Sequence, residues 1–254
     1  MLNNIGNEIA KDVYDDLIHP STEAAGALMS LPIRGLRVLC SPFEKYILNK
    51  EESLRITAEL TKEKLAKIPP KDRCEPEAFI AVPIIQQICL SQDNVELRNM
   101  YSNLLVASMN TQLKNKVLPG FQMIIGQLSP DEAKLLKYIG DKKATPTIDI
   151  RYKFKDNRFD VIFENYIDII DLNIEIMDNY NVYIDNLCRL NLIRILKDRI
   201  LTDLSLYNIL EENAKREIDT QKAYDVNKIY FQRGTIELTN FGKRFYAICL
   251  KEEC

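Results

Sequence analysis

The chain has 254 residues, 46% of them hydrophobic and 28% charged, and its formal net charge at pH 7 is −3. This length and hydrophobic content predict a globular protein with one large core or two smaller ones. The acidic balance argues against a protein that holds nucleic acid mainly through the phosphate backbone, because such binding depends on clustered positive charge. Residues 1–128 carry 14 Lys and Arg against 15 Asp and Glu, and residues 129–254 carry 20 against 22, so neither half is basic.

The six cysteines form no C-x-x-C pair, and His19 is the only histidine, so a standard zinc site is not expected. The sequence also lacks the G-x-G-x-x-G and P-loop motifs that bind nucleotides. We therefore predict neither a metal nor a cofactor. The first dozen residues are polar and charged rather than apolar, which predicts a cytoplasmic protein with reduced thiols.

The N-terminal segment contains two predicted helices. Residues 1–18 place apolar side chains at spacings of three and four, and Pro20 ends this helix. His19, beside Asp15 and Asp16, could serve in acid-base chemistry, but its place at a helix C-terminus favours a charge that suits the helix dipole. Residues 20–42 are rich in small and apolar side chains but too interrupted to span a bilayer. They predict either a buried hairpin or a segment that inserts conditionally at a membrane surface.

Further helices follow from residue 51 onward. Residues 51–67 form a charged helix, and a strongly apolar one follows Pro76, with Pro83 inside it. The next helix, residues 93–111, carries one apolar stripe made by Leu97, Met100, Tyr101, Leu104 and Leu105. After Pro119 and Gly120 another helix runs to Leu128. Residues 1–128 thus predict a helical bundle domain.

The polar face of the helix at residues 93–111 is the candidate partner-binding site. It consists of Glu96, Arg98, Asn99 and Asn103. The alternative interpretation is a solvated helix face with a buried hydrogen bond from Asn103.

Residues 129–254 predict a winged-helix-like α+β domain. Ser129 and Pro130 begin a helix, and a later helix at residues 182–190 leads into a strand. Residues 235–239 alternate as a strand does, and a last helix follows from Asn240. Residues 204–230 are then an insertion in the wing. The fold class predicted for the whole chain is mainly α: an N-terminal helical bundle followed by this winged-helix-like domain.

A winged helix invites an alternative function as a DNA-binding regulator, with residues 182–190 as the recognition helix. Asn181 and Arg189 would then contact nucleic acid, whereas Asp185 would repel phosphate. Winged helices also pack as protein-contact modules, so the fold does not decide between the two functions.

Several of these segments together resemble the Abi-alpha family of prokaryotic abortive-infection proteins. The likeness is carried, in order along the chain, by Pro20 with Glu23 and Gly26, Ile68 with Pro69, Pro76, Pro83, residues 96–109, Pro119 with Phe121, residues 127–130, Tyr183, residues 186–193 and residues 238–245. The resemblance implies a role in limiting phage spread and supplies no catalytic residue.

We therefore expect a cytoplasmic phage-defence factor, non-enzymatic, that acts through a protein partner or through self-association. The alternatives are the DNA-binding regulator and a membrane-active effector that uses residues 20–42.

Overall fold

The computed structural model describes residues 51–90, 94–169, 172–175, 179–221 and 224–251. The chain divides into two compact units, Met1–Pro130 with Ala247–Cys254, and Asp131–Tyr246. The predicted helix at residues 1–18, His19 and the segment at residues 20–42 lie outside the described residues. Within the described part of the chain, no helix is long and apolar enough to cross a membrane.

The first unit is built around one central helix. Its helices are α1 (Glu51–Ala66), α2 (Ala78–Leu90), α3 (Val95–Ser108) and the short α4 (Phe121–Ile125). Helix α3 contacts each of the other three. Its side chains Met100, Tyr101, Leu104 and Leu105 are buried, as expected for an amphipathic helix whose apolar stripe faces the core.

The start of α3 is fixed by a side-chain cap. The side chain of Asn94 accepts a hydrogen bond from the backbone N–H of Leu97 at 3.0 Å, which satisfies one of the donors left open at a helix N-terminus. The cap is thus Asn94, one residue after the predicted start of the helix at residue 93.

The second unit is a four-stranded antiparallel sheet with helices around it. In chain order its elements are α5 (Pro130–Asp141), β1 (Thr145–Lys153), β2 (Phe159–Tyr166), α6 (Tyr180–Arg189), β3 (Ile193–Leu196), α7 (Ser205–Gln221), β4 (Ile229–Leu238) and α8 (Asn240–Cys249). The last three residues of α8 belong to the first unit. The strand order is β2-β1-β4-β3, so β1 and β4 are the inner strands. The register between β1 and β2 shifts opposite Asp149: Ile148 pairs with Tyr166 and Ile150 with Phe163, so β2 has the extra residue and bulges at Glu164 and Asn165.

One face of the sheet is covered by α7. Tyr207, Leu210, Ala214 and Ile218 recur along the helix and are buried against Ile148, Ile150 and Ile229 of the sheet. Near the start of the helix, the hydroxyl of Tyr207 donates a hydrogen bond to the carbonyl of Gly234 at 2.8 Å.

The predicted fold class is wrong: the protein is not mainly α with an N-terminal bundle and a winged-helix-like domain, but a mixed α+β protein with a four-stranded antiparallel sheet. The hairpin of β1 and β2 was missed, although residues 147–152 alternate between polar and apolar side chains as a strand does. Residues 204–230, expected as an insertion in a wing, contain α7, which packs on the sheet. The sequence also predicted a domain boundary between residues 128 and 129. That boundary stays a prediction.

The buried stripe of α3 gives a stability test. Leu104 is 1% exposed, so Leu104→Asp should lower the free energy of unfolding by about 3 kcal/mol or more, because it buries an unpaired carboxylate. The matched control is Val95→Asp in the same helix, where the side chain is 54% exposed. Chemical denaturation measures both; equal stability of the two variants would contradict the assigned core face.

The start of α8 gives a second test, based on a close backbone approach. A Cβ added at Gly242 would lie 1.8 Å from the carbonyl oxygen of Leu192, so Gly242→Ala must displace backbone. We expect a loss of about 3 kcal/mol. At Gly120 an added Cβ meets nothing within 4 Å, so Gly120→Ala should leave the Tm unchanged or raise it slightly. Similar thermal melts for the two variants would contradict the Gly242 packing.

Candidate functional site

The polar face predicted on α3 is partly used inside the first unit. The side-chain amide of Asn103 donates to the carbonyl of Cys249 at 2.8 Å, which satisfies a carbonyl at the C-terminus of α8. Lys64 donates to the side-chain oxygen of Asn99 at 3.3 Å. Glu96 and Arg98 are half-buried on the same helix. Partner binding by these four residues stays a prediction.

The two residues of the DNA alternative lie at opposite ends of α6. Asn181 is exposed, and so is Arg189, whose guanidinium donates twice to the side-chain oxygen of Asn186, at 3.0 and 2.7 Å. Asn186 in turn donates to a carboxylate oxygen of Glu132 at 2.6 Å. Arg189 thus belongs to a local hydrogen-bond chain, and contact of Asn181 and Arg189 with nucleic acid stays an untested alternative.

The first turn of α5 carries two buried carboxylates, Asp131 and Glu132. Both oxygens of Asp131 accept from the backbone N–H of Glu175, at 3.1 and 3.0 Å, and one accepts from the hydroxyl of Tyr183 at 3.3 Å. The positive end of the helix dipole also favours acids here. These carboxylates therefore attach α5 to α6 and to the loop that precedes α6.

The strongest convergence of polar side chains lies on the sheet, on the face opposite α7. It comprises Asp149 in β1, Asn165 in β2 and Lys197 directly after β3, and we call it the sheet-face cluster. Lys197 forms an ion pair with Asp149 and donates to the side-chain oxygen of Asn165 at 2.6 Å. Asp149 also accepts from the backbone N–H of Asn165 at 2.9 Å.

Backbone conformation supports this cluster at two places. Asn165 has a φ of 56°, in the left-handed region that asparagine tolerates better than most residues, and the hydroxyl of Tyr180 donates to its carbonyl at 2.7 Å. Lys197 reaches Asp149 by crossing β4 at Gly234. A Cβ there would lie 3.4 Å from Cδ of Lys197 and 3.0 Å from the carbonyl oxygen of Leu196.

The cluster presents positive charge at the surface and keeps its carboxylate below. The Asp149 side chain is 7% exposed, whereas the side chains of Lys197 and of neighbouring Arg151 are 33% and 37% exposed. Nη2 of Arg151 lies 4.0 Å from the other oxygen of Asp149. Two cations therefore flank one buried carboxylate, which leaves the cluster with a net positive charge at the surface.

The sequence interpretation missed this cluster. Asp149 and Lys197 are 48 positions apart, and no motif links them. The one local signal was an aspartate within the β-branched run Thr147-Ile148-Asp149-Ile150, since a buried strand tolerates a carboxylate only when a partner is supplied.

The described cysteines are not suited to nucleophilic chemistry. Burial raises the pKa of the Cys74, Cys188 and Cys249 thiols, so each stays protonated near neutral pH. Among the residues that the structure describes, no group of three or more His, Cys, Asp or Glu side chains is arranged to hold a metal ion.

Comparison with known proteins gives a family match over most of the chain. The model of the family described as abortive infection alpha matches residues 49–249. No curated protein matches the chain. Among solved structures, an uncharacterised protein from the hydrocarbon-degrading marine bacterium Alcanivorax borkumensis SK2 is 18% identical, with a TM-score of 0.33 over 52% of this chain and 92% of that one.

The ion pair of the sheet-face cluster can be tested by a double-mutant cycle. Lys197→Met should destabilise the protein by about 2 kcal/mol, because it leaves the Asp149 carboxylate buried without its main partner, although Lys197 is one-third exposed. Adding Asp149→Asn should recover part of this loss. The control is Arg158→Met, which breaks the exposed pair with Asp156 and should change little. Additive losses in urea denaturation would contradict the coupling.

Proposed function

We propose that this chain, which belongs to the abortive infection alpha family, limits phage spread as an abortive-infection factor that acts through contacts with other proteins. The family match over residues 49–249 is the observation that carries the proposal. The match spans every helix and strand that the structure describes, from Glu51 to Cys249. The defence role therefore applies to the folded units themselves.

The distribution of charged groups supports protein contact rather than catalysis. The buried carboxylates Asp131 and Asp149 are each paired with a lysine, and Glu211 is paired with Arg233 at 2.7 Å. Catalytic acids and bases instead need protonation states that can change near the working pH. In the proposed mechanism, no bond of a substrate is broken by this protein.

The described surface also carries large apolar side chains of the kind that protein interfaces use. Met123 in the first unit is 66% exposed, and Tyr230 in the second unit is 46% exposed. Aromatic residues and methionine are enriched at interfaces, whereas isolated ones on a surface are common in monomers. We propose that the partner is another protein or a second copy of this chain in the cytoplasm, with Glu96, Arg98, Asn99 and Asn103 of α3 at one contact. We do not propose nucleic acid as a partner.

Phage infection of a bacterium that expresses the protein tests the defence role. Plaque numbers should fall for at least one phage in a broad panel. At a high ratio of phage to cells the infected cells should stop growing without releasing phage, whereas at a low ratio the culture should survive. Leu104→Asp, which should not fold, is the negative control. Unchanged plaque numbers across the panel, with folded protein present in the cells, would refute the proposal.

A further inference from the structure

A second surface lies next to the sheet-face cluster, toward the tip of the β1–β2 hairpin. Lys153 pairs with Phe159, and Arg151 pairs with both Val161 and Tyr230, so these side chains share the sheet face opposite α7. Phe159, Val161 and Tyr230 are 51%, 39% and 46% exposed. We call Lys153, Phe159, Val161 and Tyr230 the aromatic–lysine patch.

The patch is an organised surface rather than a set of scattered side chains. The rings of Phe159 and Tyr230 meet edge to face with their centroids 5.3 Å apart, although their strands are separated by β1. Nζ of Lys153 lies 5.7 Å from each ring centroid. The strands of both rings pair with β1, which brings the rings to the same face of the sheet. About half of each residue still stays exposed to water.

The charge beside the patch is positive. Lys153 belongs to the patch, Arg151 lies in the next row of the same face, and Lys197 lies beyond it in the sheet-face cluster. On this face of β1 the acidic residue is Asp149, which is buried under the cations and paired with Lys197. The exposed apolar rings are therefore bordered by cations along the strand.

We propose that the aromatic–lysine patch is a docking site for an acidic, apolar peptide segment of a partner protein. This inference rests on the proposed function and names the class of partner. Apolar side chains of the segment would cover Phe159, Val161 and Tyr230, and its carboxylates would face Lys153 and Arg151. Tyrosine and arginine are enriched among the residues that dominate the binding energy of an interface. Phenylalanine is enriched at interface cores.

Two other occupants fit these observations less well. A second copy that docks patch to patch would bring like charges together, because a two-fold interface presents the same cationic surface from both subunits. Single-stranded nucleic acid needs aromatic faces on which successive bases stack. The planes of Phe159 and Tyr230 are 86° apart, so the two rings cannot offer parallel faces together.

A displayed library of random peptides of about ten residues, selected for binding to the full chain, tests the proposal. We expect the enriched peptides to combine aspartate or glutamate with apolar residues. For a synthesised enriched peptide, Tyr230→Ser and Lys153→Glu should each weaken binding about tenfold in fluorescence polarisation. Lys153→Glu should also improve binding of the same peptide with lysine in place of its acids. Phe79→Ser, an exposed aromatic in the other unit, should change nothing.

Thermal melts keep the result interpretable, because Lys153→Glu alters one cation at the surface and should melt like the wild type. Enrichment of neutral or basic peptides, or binding that neither patch variant weakens, would overturn the proposal. It would also fail if Tyr230→Ser instead abolished self-association, or abolished binding of a labelled oligothymidylate or oligouridylate.

The phage assay separates this inference from the proposed function. If the wild type protects cells but acidic peptides are not selected, the docking site is wrong and the defence role stands. If patch-dependent acidic peptides are selected but the wild type protects against no phage, the defence role fails and the docking site stands. If both stand, Lys153→Glu should reduce protection while Phe79→Ser retains it.

Discussion

The close packing at Gly234 is the constraint on which the second unit depends. Gly234 lies in β4, the strand that joins β1 to β3. Its missing side chain leaves the space in which Lys197 crosses to Asp149, and its carbonyl accepts the hydrogen bond from Tyr207 of α7. One position without a Cβ thus serves both faces of the sheet, with an ion pair on one side and the anchor of a helix on the other.

The ion pair beside Gly234 has more effect on the arrangement of the strands than on their stability. A paired buried charge gains little over an apolar replacement, but it penalises every alternative in which the charge loses its partner. Asp149 lies opposite the bulge of β2 and accepts a hydrogen bond from the N–H of Asn165 within that bulge. A slip of one residue in this hairpin would move Phe159 and Val161 to the other face. The cluster therefore helps to determine which side chains form the aromatic–lysine patch.

Local patterns predicted some elements well and the long-range arrangement poorly. The apolar stripe of α3, the start of α5 at Pro130 and the start of α8 at Asn240 follow from helical spacing and from capping residues, which act within one turn. The core face of α7 was missed because its many charged residues obscure the apolar spacing until the helix packs on the sheet. The β1–β2 hairpin was missed although polar and apolar residues alternate along residues 147–152. The sheet-face cluster joins residues far apart in sequence, and the role of Gly234 depends on neighbours that only the fold supplies.

The two kinds of group in the aromatic–lysine patch would contribute differently to a contact made during infection. Exposed cations mainly raise the rate of encounter with an acidic partner and make it sensitive to salt. Buried aromatic contacts mainly lengthen the time that the complex survives. A patch with two rings, one valine and few cations is small by the standard of stable interfaces, so it suits a transient complex. A defence factor of this kind would remain unbound until its partner becomes abundant or exposes the matching segment, which couples the response to infection without any change in the sheet.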